Sequence, residues 1–270
     1  YVNPHIPGIN FSVQSNSVAF SISNDVLYTV GIYTNINGYN INTGAVLSSV
    51  STNFISMDIK ACKNLLFTVA KDTFVGPNKD TLYSYDITNP SAIVSRNSVI
   101  LEYKSNGGAN SATFGTDYQA GITKHPTENV LYIIGTSQSK TEYRVTSVTY
   151  DGSGLQLIIS GCVSIPAIIS SVESINHPVR GLYRDGVIQF TFTDAQGTNP
   201  SRLSTISVDN NDPTDMTVVK VSTTAFNSSY VHHVSTPGGC YLLTTPTTIV
   251  LVKGSACDPR FITDKVSTTP

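Results

Sequence analysis

Four residues could support chemistry because of their types and their shared spacing: Asp58, Arg180, His232 and His233. Each lies about eight or nine positions before the aligned residue of an apolar run that recurs along the chain, so we expect them on equivalent strands. Aspartate and histidine are metal ligands, and a bound metal ion or an arginine can polarise a carbonyl group. Asp58, His232 and His233 are therefore the candidate metal ligands.

A structural interpretation of the same residues is that they are solvated charges at strand ends. Arg180 favours this interpretation, because its charge would repel a cation bound beside it. No nucleophile elbow, phosphate-binding loop or zinc-protease helix is present in the sequence. We therefore predict no catalytic residue and no cofactor.

Two further groups of polar residues are interpreted as turns. The oxygen-rich cluster from Asp209 to Asp212, followed by Asp215, could hold calcium in a loop, but a solvated turn at the edge of a sheet is the favoured interpretation. His125 and His177 each precede a proline, which biases the preceding residue toward extended backbone. We expect both histidines at turns that lead into strands.

The cysteine count suggests an oxidising environment. The chain has four cysteines, Cys62, Cys162, Cys240 and Cys257, with no CxxC motif of the kind that binds zinc or carries redox chemistry. An even number suits disulfides in an exported protein. Cys240 and Cys257 flank one apolar repeat, so we predict a bridge between them and leave the pairing of Cys62 and Cys162 open. Buried, unbridged cysteines are the alternative.

Glycosylation sequons and composition point to the same compartment. Asn10 and Asn227 each begin an Asn-x-Ser sequon, so we predict glycans there and an extracellular or cell-surface location. Only 13% of the 270 residues are charged and the net charge is −2, which excludes the basic surface typical of nucleic-acid binding. The longest uncharged stretch, between Asp151 and Glu173, is too polar for a transmembrane segment.

The elements that must position these residues are short strands in repeated order. A turn followed by an apolar strand recurs at steps of roughly 40 to 65 residues. Five copies occur, at Asn24–Val30, Lys63–Val69, Glu128–Ile134, Arg184–Phe190 and Pro237–Leu243. Each copy has an apolar stretch before it and two more strand-like runs after it. Four strands per repeat predict one antiparallel sheet per repeat, and such sheets must stack on one another.

Three segments carry a resemblance to a known type of repeat. His125 through Ile134 and Tyr39 through Val46 resemble the repeats of YVTN β-propellers, and Leu82 through Pro90 resembles the LVIVD repeat of surface propellers. The resemblance implies an all-β propeller of four-stranded blades. For the lactonases among propellers it would also imply several acidic metal ligands, of which Asp58 is the only one here.

The repeat count favours five blades. Six remain the alternative if a degenerate unit lies between Phe67 and Leu131. The fourth strand of the last blade could come from Ile6 to Val13 or from Phe261 to Val266. We place the propeller at residues 1–262 and a tail, which resembles the start of a stalk, at residues 263–270.

The function that this pattern favours is an exported, non-enzymatic module. Adhesion, assembly into a surface layer or filament, and carbohydrate or protein binding all fit it, with other protein subunits, glycans or further copies of the chain as partners. The alternative is a propeller hydrolase or lactonase with a metal in the central channel.

Overall fold

The computed structural model describes residues 17–31, 35–52, 54–72, 79–104, 111–113, 120–136, 142–166, 180–184, 186–194, 202–209, 212–225, 232–235, 241–244 and 249–252. Every regular element in these ranges is a β-strand. The described residues therefore contain no helix that is long and apolar enough to cross a membrane. Four antiparallel sheets contain four strands each, joined in chain order, and a fifth contains three. We number them blades 1 to 5.

The strands of the five blades follow one another without crossovers. Blade 1 contains β1 (Ser17–Ser23), β2 (Val26–Gly31), β3 (Ile36–Asn40) and β4 (Val46–Val50). Blade 2 contains β5 (Ile55–Cys62), β6 (Leu65–Asp72), β7 (Lys79–Asp86) and β8 (Val94–Ile100). A hairpin of β9 (Glu102–Lys104) and β10 (Ser111–Thr113) follows.

The remaining strands continue the same order. Blade 3 contains β11 (Gly121–Lys124), β12 (Val130–Thr136), β13 (Glu142–Tyr150) and β14 (Leu157–Pro166). Blade 4 contains β15 (Arg180–Arg184), β16 (Val187–Asp194), β17 (Arg202–Asp209) and β18 (Thr217–Ala225). Blade 5 contains β19 (His232–Ser235), β20 (Tyr241–Thr244) and β21 (Ile249–Val252).

The predicted repeat is confirmed by strand register. The aligned apolar residue of each copy lies on the second strand of its blade, at Leu27, Leu66, Leu131, Ile188 and Tyr241. In the four complete blades this residue pairs with the third strand at Tyr39, Tyr85, Val148 and Val208, respectively. The sequence repeat and the sheet repeat therefore coincide residue by residue.

A β-bulge recurs at one position in all four complete blades. The register between the third and fourth strands shifts directly before the same third-strand residue each time. The extra residue on the fourth strand is Leu47, Arg96, Ser160 or Val219. A bulge bends and twists an edge strand, which protects it from pairing with another chain.

The core lies between successive blades. On β6, Leu65, Phe67 and Val69 pack against blade 3, whereas Leu66 packs against blade 1. The same alternation continues into the cluster between blades 3 and 4, where Tyr132 meets Phe190. Because side chains alternate across a strand, each sheet is apolar on both faces and needs a neighbour on each.

The face of blade 1 that points away from blade 2 is also covered. Thr29 and Tyr39 lie on that face by register, and their exposed fractions are 3% and 1%. Leu27, on the same face, is only partly buried, in contrast to its fully buried equivalents Leu66 and Leu131. This burial is what a ring that closes onto blade 1 requires.

Several predictions lie outside the described residues. These are the two proposed fourth strands of blade 5, at Ile6 to Val13 and Phe261 to Val266, and the tail at residues 263–270. The interval between Phe67 and Leu131, where a degenerate sixth unit is the alternative, contains the β9–β10 hairpin in its described part. Five blades and the boundary at residue 262 stay predictions.

Candidate functional site

The innermost strands place three of the four candidate residues at equivalent positions. The first strands of successive blades contact one another, which makes them the innermost. Asp58 pairs with Val69, Arg180 with Thr191 and His232 with Thr244, each three residues beyond the aligned position of the second strand. Ala19 and Gly121 occupy this position in blades 1 and 3. His233 lies one residue further along β19.

Asp58 is buried, and its carboxylate joins two blades. One oxygen, Oδ1, accepts the N–H of Ile59 at 2.8 Å, and the other, Oδ2, accepts the N–H of Ile122 in blade 3 at 2.8 Å. Thr68 donates its hydroxyl to the Asp58 carbonyl at 2.8 Å, which holds the strand in place. A bulge between Ser56 and Asp58 accompanies this arrangement.

The reason for this bond is that an innermost strand has one edge without a strand partner. A buried backbone N–H on that edge needs an acceptor, because leaving it unsatisfied costs about 1–3 kcal/mol. Between blades 1 and 2 a hydroxyl meets the same need, since Ser21 Oγ accepts the N–H of Ala61 at 2.9 Å. Ser23 adds a bond to the Lys63 carbonyl at 2.9 Å.

Of the candidate metal ligands, the structure describes the side chain of Asp58 alone. Arg180, His232 and His233 are placed by backbone register, and their side chains lie outside the description. Within the described ranges no group of three or more His, Cys, Asp or Glu residues is arranged to hold a metal ion. The arrangement at Asp58 performs a structural task with both carboxylate oxygens.

His125 stabilises a turn, as its sequence context predicts. Its Nδ1 accepts the N–H of Glu128 at 2.9 Å and the N–H of Thr127 at 3.3 Å. Its own N–H bonds to the Val130 carbonyl, closing the connection between β11 and β12. His177 lies outside the described residues.

The acidic run near Asp212 also forms a turn. Asp212 Oδ1 accepts bonds from both the N–H and the hydroxyl of Thr214, each at 2.8 Å. These bonds hold the pKa of the Asp212 carboxyl below its usual value. The geometry at Asp212 is that of the solvated turn that the sequence favours.

Cys62 is a buried free thiol at the interface between blades 2 and 3. Burial raises the pKa of its thiol, although the cations of Lys124 and Lys60 and a hydrogen bond with Tyr150 act in the opposite direction. Cys62 is therefore not bridged to Cys162, which is exposed on β14. Cys240 and Cys257, and the sequon residues Asn10 and Asn227, lie outside the described residues.

Sequence reasoning missed the serines that connect neighbouring blades, above all Ser84 and Ser147. Both are fully buried and donate their hydroxyls to backbone carbonyls of the following blade. Serine is abundant in this sequence, so its type carried no signal. The available signal was its recurrence directly before the aligned third-strand residue in blades 2, 3 and 4, at Ser84, Ser147 and Ser207.

Comparison with solved structures identifies the architecture. The WD40 domain of coronin from Toxoplasma gondii superposes with a TM-score of 0.51 at 12% identity, covering 90% of this chain and 58% of that one. The chain folds as a β-propeller. The β-propeller domain of Cps50 (Swd1) from Myceliophteria thermophila agrees, with a TM-score of 0.50, 12% identity, and coverage of 87% of this chain and 69% of that one.

These similarities establish the fold of the propeller alone. No family model and no curated protein sequence matches the chain. The resemblance to YVTN and LVIVD repeats therefore stays a prediction about repeat type.

Proposed function

We propose that this propeller is a non-enzymatic protein-binding module whose partner docks on the outermost strands. The supporting observation is a set of aliphatic side chains that are exposed near the start of the outermost strand in four successive blades. They occupy the first or second residue of the outermost strand, at Val46, Val94, Ile158 and Val218. Val46 and Val218 pair with the aligned third-strand residue, and Val94 and Ile158 pair with the residue after it. A single exposed aliphatic residue is ordinary, but a group of them at the same end of four outermost strands forms an apolar surface of the kind that marks interaction sites.

Neighbouring residues extend the apolar surface in blades 3 and 4. Leu155, in the loop before β14, is 53% exposed, and Val219, the bulge residue of β18, is 58% exposed. The Leu155 carbonyl is bonded to Asn97 of blade 2, so this part of the surface crosses from one blade to the next. A docking partner would contact two blades there.

The partner that we favour is a second copy of the chain. Only 13% of residues are charged and the net charge is −2, so two copies repel each other weakly. The exposed positions repeat around the propeller, and a contact between unlike patches that does not close would build a filament. Assembly of this kind accords with a surface layer or an adhesive structure.

Export of the module belongs to the same proposal. Its support comes from the sequons at Asn10 and Asn227 and from the predicted Cys240–Cys257 bridge. Intact-mass analysis of protein from its native source, before and after glycosidase treatment and without reduction, tests both features. A mass without glycan and with two free thiols at Cys240 and Cys257 would contradict export.

Light scattering during size-exclusion chromatography tests self-association. We expect the wild-type mass to rise with protein concentration, and Val218→Lys combined with Val219→Lys to keep the chain monomeric. The control is Asn129→Lys, which adds a cation at an exposed site in the turn between β11 and β12, away from the outermost strands, and should leave assembly unchanged. A wild-type chain that stays monomeric at millimolar concentration would contradict a second copy as the partner.

The enzymatic alternative has its own test. Elemental analysis and an esterase and lactonase screen should find no stoichiometric divalent metal and no activity. A bound metal that is lost together with hydrolysis in Asp58→Ala would overturn the proposal in favour of a metal-dependent hydrolase.

A further inference from the structure

The loop between the third and fourth strands of blade 3 is bonded to blade 2. Ser84 donates its hydroxyl to the Gly154 carbonyl at 2.7 Å and accepts the N–H of Asn97 at 3.1 Å. Asn97 Nδ2 donates to the Leu155 carbonyl at 2.6 Å. Gly154 has a φ of 73°, and a Cβ there would approach Leu65 Cδ2 to 2.9 Å. The loop is therefore fitted closely against the preceding blade.

Blades 3 and 4 repeat this fastening with a different pair of residues. Ser147, which occupies the register position of Ser84, donates its hydroxyl to the Pro213 carbonyl at 2.5 Å. Its partner on the fourth strand is Gly161, where a Cβ would collide with the same carbonyl oxygen. The serine supplies the bond, and the glycine opposite it supplies the space.

Blade 1 contains the same two residue types on exchanged strands. The third-strand position holds Gly38, and its fourth-strand partner is Ser48. Ser48 Oγ lies 2.6 Å from where a Cβ of Gly38 would be, so the hydroxyl occupies the space that a serine side chain on the third strand would fill. This hydroxyl is buried and has no hydrogen-bond partner among the described residues.

The loop of blade 2 that would receive this hydroxyl already lies against blade 1. It runs from residue 87 to residue 93, and the apolar residues at its two ends, Ile87 and Ile93, both pack into the core between blades 1 and 2. By their place in the loop between the third and fourth strands, the carbonyls between them correspond to those of Gly154 and Pro213.

We propose that Ser48 donates a hydrogen bond from its hydroxyl to a carbonyl in the loop of residues 87–93. The Gly38–Ser48 pair then acts as the Ser147–Gly161 pair does, with the serine on the fourth strand instead of the third. The bond from a third-strand serine hydroxyl to a loop carbonyl of the next blade is present between blades 2 and 3 and between blades 3 and 4. Between blades 1 and 2 the hydroxyl of Ser48 is buried, and its bond to the loop is the part that we infer. This inference is independent of the proposed binding function.

A residue swap tests the proposal. The variants are Ser48→Gly, Gly38→Ser and the double variant, compared with the wild type by thermal unfolding and by hydrogen exchange of the amides of residues 88–93. Ser48→Gly should lower the melting temperature by about 2–4 °C and speed exchange in the loop. Gly38→Ser should also destabilise the chain, because its side chain meets Ser48 Oγ.

The double variant decides the outcome. We expect it to recover to within about 1 °C of the wild type and to restore loop protection, because it places the serine where blade 3 has it. Ser95→Gly, at an exposed site on β8, controls for the backbone effect of a new glycine in a strand. A double variant as unstable as the sum of the single variants, or loop exchange unchanged in Ser48→Gly, would overturn the proposal. If Gly38→Ser does not fold, the other two variants still decide it.

Discussion

Between blades 2 and 3 the carboxylate of Asp58 accepts the N–H of Ile122, whereas between blades 1 and 2 the hydroxyl of Ser21 accepts the N–H of Ala61. Both bonds satisfy backbone on the free edge of an innermost strand, with a carboxyl oxygen as the acceptor in one case and a hydroxyl oxygen in the other. The comparison teaches that an acid on an innermost strand is not by itself a sign of catalysis. Its partners reveal the task, and here the partners are backbone amides.

The largest expected effect is that of removing Asp58. Asp58→Ala should cost about 2–4 kcal/mol in free energy of unfolding, because the Ile122 N–H is left buried without an acceptor and two hydrogen bonds to the carboxyl group are lost. Ser21→Ala is the matched change in the neighbouring interface and should cost about 1 kcal/mol, since one neutral bond is lost. Urea denaturation measures both. Equal costs would remove the distinction between the two interfaces.

The serine hydroxyls that bond to the loop of the next blade should contribute less to stability than Asp58 does. Ser147→Ala removes the bond to the Pro213 carbonyl and should cost about 1–2 kcal/mol. Gly161→Ala should cost at least as much, because its new methyl group collides with that carbonyl and the loop must shift. Ser164→Ala, at an exposed position on the same strand, should be neutral. A neutral Gly161→Ala, measured by urea denaturation, would show that the loop of blade 4 is not held tightly.

The smallest expected effect is a pH dependence at Asp86. Its hydrogen bonds with Thr88, and then with Arg96, lower the pKa of the Asp86 carboxyl to about 2. Because the folded pKa is below the unfolded value of about 3.9, the charge stabilises the fold above about pH 4, and this stabilisation is lost as the pH falls through about 2. The group is partly exposed, so its contribution should stay below about 1 kcal/mol.

Blade 1 supplies the natural control for Asp86. Asn40 occupies the equivalent position and its Oδ1 accepts the N–H groups of Asn42 and Thr43 at 2.8 and 3.0 Å. Asp86→Asn should therefore keep the turn and lose the charge. We expect the stability difference between wild type and Asp86→Asn to shrink between pH 4 and pH 2. A constant difference across that range would contradict the assignment.

The fold was predictable from sequence because strand and turn residues repeat in a fixed order. Leu27, Leu66, Leu131 and Ile188 were aligned correctly, since an apolar strand after a tight turn is a local signal. Asp58 and Ser84 could be placed on their strands, but their tasks depend on contacts with another blade 64 and 70 residues away. Periodicity indicates which face of a sheet a side chain occupies, and it does not indicate which backbone group that side chain meets.

The measurement that tests the central claim most directly is the thermal unfolding of wild type and Asp58→Ala, each with and without a strong chelator. The claim is that Asp58 joins blades 2 and 3 through backbone hydrogen bonds. We predict that Asp58→Ala lowers the melting temperature by the same amount in both conditions and that the chelator leaves the wild type unchanged. The contrary result is that chelator lowers the melting temperature of the wild type to that of Asp58→Ala and leaves the melting temperature of the variant unchanged. That result would contradict this account and assign Asp58 to a metal site.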